Sequence, residues 1–117
     1  MYQWFSQQFE LKVNQIFQKH SKKNQVIKFG AHALEELDND DIEIREVMDC
    51  MRNGKSELIS YHWEEPFKST KLIFLLYIPD KPPAHVVLLL NEENIFVKTA
   101  YNIDYSKFKP DGKTRIR

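Results

Sequence analysis

A change of hydrophobic period at Ser56 constrains this chain more than any other feature. Before it, apolar residues recur at spacings of three and four. After it come four strand-like runs, 58–63, 72–78, 85–90 and 95–101, the first alternating and the second and third almost continuously apolar. The segments between them, Glu64-Glu65-Pro66, Pro79-Asp80-Lys81-Pro82-Pro83 and Asn91-Glu92-Glu93-Asn94, are too short to hold a crossover helix. Neighbouring strands are therefore expected to be antiparallel, with the first at an edge and the second and third central and covered by helices. The predicted class is α+β: N-terminal helices packed on a four-stranded antiparallel meander sheet.

Upstream of Ser56, Phe5, Phe9, Val13, Ile16, Phe17 and His20 form one stripe, which predicts an amphipathic helix over about residues 3–22. Gln25 to Phe29 reads as a short extended piece, Gly30 as a break, and Ala31 to Leu37 as a brief second helix. Asn39-Asp40-Asp41 offers capping side chains for a third helix with Ile44, Val47, Met48 and Met51 on its inner face, and Asn53-Gly54 is its stop signal.

A chain of 117 residues, 42% apolar, supports one hydrophobic core. The expected organisation is a single domain over 1–105, with 1–24 its N-terminal helix and 25–102 its core, followed by a basic tail over 106–117 that reads as a loop or a flexible end. Cys50 has no second cysteine to pair with and falls on an apolar helical face, which suits a reducing, cytoplasmic setting. Gln, Glu and Lys interrupt the first apolar stripe, so neither a signal-peptide core nor a membrane span is expected. Seventeen basic and seventeen acidic residues cancel, which argues against a protein that coats nucleic acid. The distribution is uneven, however. Lys12 to Lys28 and Lys107 to Arg117 are basic, and Glu35 to Glu46 is acidic. Either basic cluster is a solvated surface or a phosphate-binding one.

Two places carry candidate chemistry. His32 falls in the first turn of the second helix, where the positive end of the helix dipole favours a neutral ring able to accept a proton near pH 7. Thr99 and Tyr101 sit two residues apart on the last strand, on one face by alternation. If the helix and strand meet, they make a small metal-free site. His20 and His62 read as packing or boundary residues, and His85 as the start of a strand. No histidine spacing suggests zinc, and the three glycines, Gly30, Gly54 and Gly112, form no phosphate-binding loop, so no metal or nucleotide cofactor is expected. Cys50 is expected to be buried and inert, and Tyr61 and Trp63, placed on one face with Ile59, to be core or a stacking platform. Lys71 and Arg52 are weak candidates for supplying positive charge.

The run Phe29-Gly30-Ala31-His32-Ala33, the helix Ile42-Glu43-Ile44-Arg45-Glu46-Val47 leading to Asn53-Gly54, and the closing Thr99-Ala100-Tyr101 together resemble a small bacterial family of uncharacterised domains. That family has an F-x-x-H-A helix and a T-x-Y strand and is grouped with the barnase/EndoU/colicin/RelE ribonuclease toxins. The resemblance spans about residues 27–102. It implies a RelE/barnase-like fold, cleavage of RNA by 2′-OH transesterification without a metal, and a cognate antitoxin or immunity protein as partner. His32 would then be the base or acid, Thr99 a donor to a phosphate oxygen, and Tyr101 a stacking group or weak acid. Where the family often carries an arginine four residues after the histidine, this chain has Glu36, which either pairs with His32 and holds it as an acid or repels the substrate. The alternative is a non-catalytic binding protein on the same fold, such as an inactive toxin-like or mobile-element accessory protein, with a homodimer as one of its forms.

Overall fold

The alternating and apolar runs after Ser56 do form strands, and a fifth joins them. The computed structural model describes residues 2–19, 27–65, 68–92 and 94–116, and in the first helix the side chains from residue 7 onward. The elements are α1 (Tyr2–Lys19), β1 (Ile27–Phe29), α2 (Ala31–Asn39), α3 (Ile44–Arg52), β2 (Ser56–Glu64), β3 (Ser69–Leu76), β4 (Ala84–Asn91) and β5 (Asn94–Asn102). Among the described residues the chain is thus an α+β fold of three helices and one five-stranded sheet, in the order β1-β5-β4-β3-β2. His20 lies outside the described residues, as do the side chains of Trp4 and Phe5.

The sheet is mixed, which corrects the four-stranded antiparallel meander. The four long strands pair antiparallel in chain order, but β1 lies parallel to β5, with Ile27 opposite Ile95 and Phe29 opposite Val97. Three residues are too few to show a period, and their partner lies some seventy positions away. Local pattern alone could mark them as extended but could not say what they pair with.

One face of the sheet is packed by the helices. Val13, Ile16 and Phe17 of α1, Ala33 and Leu37 of α2, and Val47 and Met51 of α3 share a core with Leu72, Phe74, Val86, Leu88, Ile95, Val97 and Ala100. The Asn14 side chain donates to the Met51 carbonyl at 2.8 Å, and the Arg52 guanidinium to the Phe17 carbonyl at 2.9 Å, so both lock α1 onto α3. Arg52 is thereby committed to structure. The cap of α3 also differs from expectation: Glu43 is its N-cap, and its N–H donates to Glu46 Oε1 at 2.9 Å. Ile44 is turned half outward, and Cys50 takes its place in the core, where burial pushes the thiol pKa up.

Two irregularities decide which residues face the other side. The register of β5 against β4 slips between Val97 and Thr99, so Val97 pairs with Leu88 and Thr99 with Val87. Strict alternation would put Thr99 and Tyr101 on the core face with Ile95 and Val97. The extra residue, Lys98, moves Ala100 to the core and turns Thr99 and Tyr101 outward. A similar slip in β2 between Leu58 and Ser60 separates Ile59 from Tyr61. Tyr61 faces the helices and stacks on Phe9, with ring centroids 5.0 Å apart, so the expected shared face of Ile59, Tyr61 and Trp63 does not form.

The segment after Asp104 folds back over the outer face. Phe108 and Arg115 form an antiparallel bridge, flanked by bonds from Lys109 N–H to Thr114 O and from Ile116 N–H to Lys107 O, both 2.8 Å. At the turn, Asp111 accepts the N–H groups of Thr114 and Lys113, which with the Thr114 hydroxyl hold its carboxyl down to about 2. This tail is a docked hairpin.

Candidate functional site

Helix α2 begins where β1 ends and runs beside the edge of β5 that β1 leaves uncovered. The Gly30 N–H donates to the Val97 carbonyl at 3.0 Å, and at the other end the Asn102 N–H donates to Asp40 Oδ2 at 2.7 Å. These two ties lay the helix parallel to the strand from Val97 to Asn102. Gly30 has an ordinary extended backbone; a Cβ there would lie 2.6 Å from the tip of the exposed Phe96 ring, which would have to shift to admit it.

The seam so formed carries all four residues expected from sequence. His32 is exposed near the start of α2, and its Nε2 lies 3.5 Å from Oε1 of Glu36, one turn further on. Thr99 and Tyr101 are half-buried on the adjacent strand. The Tyr101 hydroxyl pKa is pushed up chiefly by burial, eased by Arg115 and raised further by Glu36. Its hydroxyl thus feels both the Glu36 carboxylate and the Arg115 guanidinium. No hydrogen bond joins His32 to Thr99 or Tyr101 among the described residues.

The other candidates are engaged elsewhere. Lys71 lies 4.0 Å from Glu64, and His62 lies 3.3 Å from the same carboxylate on edge strand β2. Trp63 is exposed and donates its indole N–H to Glu65 at 2.6 Å. Among the described residues, no group of three or more His, Cys, Asp or Glu side chains is placed to hold a metal ion.

His85 carries more than the start of a strand. It is fully buried on β4, directly opposite Tyr101, with Phe108 edge-on at 4.6 Å and Tyr101 edge-on at 5.6 Å. Its Nε2 lies 2.7 Å from the Gly112 carbonyl. A carbonyl can only accept, so Nε2 carries the proton, and the Nδ1 lone pair is buried without a partner among the described residues. Burial pushes the pKa down, which keeps the ring neutral. His85 is thus the post on which the hairpin rests. Its signal in the sequence is a polar residue opening an otherwise apolar run, followed much later by a Gly that could bring a carbonyl close.

The result is a small α+β domain in which a histidine–glutamate pair on a helix lies along the strand that carries the threonine and tyrosine. Residues 29–102 match the family model described as Domain of unknown function (DUF4258), and the chain belongs to that family. The match covers β1 from its last residue through the end of β5 and so includes the whole seam; α1 and the hairpin lie outside it. No curated protein and no solved structure matches. No described helix is long and apolar enough to cross a membrane.

Proposed function

We propose that this chain is a small endoribonuclease of the RelE/barnase-like kind, cleaving RNA without a metal at the α2–β5 seam. The observation that supports the reading is the double tie of α2, which carries the His32–Glu36 pair, to the stretch of β5 that carries Thr99 and Tyr101.

The chemistry needs a proton acceptor for the 2′-hydroxyl, a proton donor for the leaving 5′-oxygen, and hydrogen-bond donors for the charge that builds on phosphorus. In this reading Glu36 accepts the 2′-OH proton as that oxygen attacks phosphorus. Protonated His32 gives its proton to the 5′-oxygen as the P–O5′ bond breaks, leaving a 2′,3′-cyclic phosphate. The pair then stands as carboxylic acid and neutral imidazole, and proton transfer across their 3.5 Å contact restores the starting state. Thr99 Oγ1 and the Tyr101 hydroxyl, a phenol that is protonated at neutral pH, donate to the phosphoryl oxygens. A cytoplasmic location and a protein inhibitor that covers the seam belong to the same proposal.

Glu36 also supports a second reading, a non-catalytic binding protein, because its carboxylate places an anion beside the position a phosphate would take. Incubating purified protein with total RNA in EDTA, with His32→Ala as control, separates the two. Cleavage that depends on His32 supports the enzyme, and intact RNA at high protein concentration removes it.

A further inference from the structure

Between the outer face of the sheet and the C-terminal hairpin lies a cleft of about 580 Å³, within the range of roughly 300–1,000 Å³ usual for small-ligand sites. Tyr101 and Phe108 form its aromatic walls, and Lys107, Lys113, Arg115 and Asp104 are its charged lining. The charges are not equivalent. Lys113 is held by Glu57 at 3.2 Å, and Asp104 accepts the Ser106 N–H and hydroxyl at 2.9 and 2.5 Å. Lys107 and Arg115 have no carboxylate within ion-pair distance among the described residues; Arg115 lies 5.8 Å from the centre of the Phe108 ring. Two exposed cations thus flank two aromatic rings in one concave site. The hairpin that supplies the cations lies beyond the span matched by the family model, so nothing in that match accounts for the cleft.

We infer that this cleft binds single-stranded RNA, with an unpaired base against Tyr101 and Phe108 and a backbone phosphate between Lys107 and Arg115. The substrate class rests on the ribonuclease reading, and the cleft deepens it, because Tyr101 belongs to both places: its ring lines the cleft while Glu36 of the seam acts on its hydroxyl. A strand lying in the cleft runs on toward His32. Aromatic walls need a base with a free face, which single strands offer and duplexes do not. The cations replace, from the hairpin, the positive charge that Glu36 denies to α2.

The test uses the His32→Ala protein, so that the ligand survives, and a short fluorescently labelled oligoribonucleotide of mixed sequence, read by anisotropy at several salt concentrations. Adding Lys107→Ala and Arg115→Ala is expected to weaken binding about tenfold and to reduce the slope of log affinity against log salt by about 1.4, two contacts at roughly 0.7 each. Both side chains are exposed, and an unchanged melting curve checks the fold. Unaltered affinity and slope in the double variant overturn the inference, and so does binding of a duplex in preference to the single strand. The two proposals fail separately. Binding through the cleft without cleavage by the wild type removes the chemistry and keeps the cleft, whereas cleavage indifferent to Lys107 and Arg115 removes the cleft alone.

Discussion

The Asp40 carboxylate accepts the backbone N–H of Asn102 at 2.7 Å, joining the C-terminal end of α2 to the last residue of β5. With the Gly30 tie at the other end, it adds to the packing of Ala33 and Leu37 in fixing this nine-residue helix along the strand. Asp40→Ala leaves a half-buried N–H without its partner and is expected to cost about 1–3 kcal/mol. Chemical denaturation measures this; a loss below a few tenths of a kcal/mol would mean that the seam is held by packing alone.

At Gly112 two requirements coincide. Its φ of +73° lies in the left-handed region, and a Cβ would come within 2.8 Å of Ile103 Cδ1. Gly112→Ala is expected to destabilise by about 1–2 kcal/mol or to release the hairpin. Released, the hairpin would expose His85 and become open to limited tryptic proteolysis after Lys107 or Lys113. A variant as resistant as the wild type would contradict the account of the tail.

His85 predicts a pH dependence with a definite sign. Burial holds its folded pKa below the ordinary histidine value of 6.5, so between the two the unfolded chain binds a proton that the folded one refuses. Stability is therefore full above about pH 6.5 and falls as the pH drops from there toward the folded pKa, by up to about 1.4 kcal/mol per pH unit. His85→Leu is expected to lie below the wild type at pH 7.5, for loss of the Gly112 hydrogen bond, and to show a flatter profile between about pH 6.5 and 5. Equal slopes in the two proteins would place the titration elsewhere.

Replacing Glu36 with arginine separates binding from chemistry. The change removes an anion that pairs with His32 and acts on Tyr101, and puts a cation in its place. RNA binding is expected to tighten by about threefold or more, with a salt slope steeper by about 0.7, while cleavage slows for want of the proton acceptor. Faster cleavage by Glu36→Arg would show that the carboxylate has no part in proton transfer.

The long strands and the buried faces of α1 and α3 were legible because each repeats its period over several turns or alternations. The pairing of β1 with β5 was not, since three residues carry no period and their partner is remote in the chain. The outward turn of Thr99 and Tyr101 depends on one extra residue at Lys98, and alternation alone gives the opposite face relative to Val97. That His32 falls on a helix and Thr99 and Tyr101 on the last strand could be read from local pattern, but that this helix runs beside β5 follows from Gly30 and Asp40, neither of which advertises its strand partner. His85 was passed over because a histidine at a strand start looks ordinary until a distant carbonyl is found against it.

The most direct test of the seam as a site of RNA chemistry compares an oligoribonucleotide with its all-2′-deoxy counterpart of the same sequence, in EDTA, with end-group analysis of the products. Cleavage of the ribo form only is expected, leaving 2′,3′-cyclic phosphate ends and vanishing in His32→Ala. Cleavage of the deoxy strand, or products bearing 5′-phosphates, would rule out 2′-OH attack at the seam.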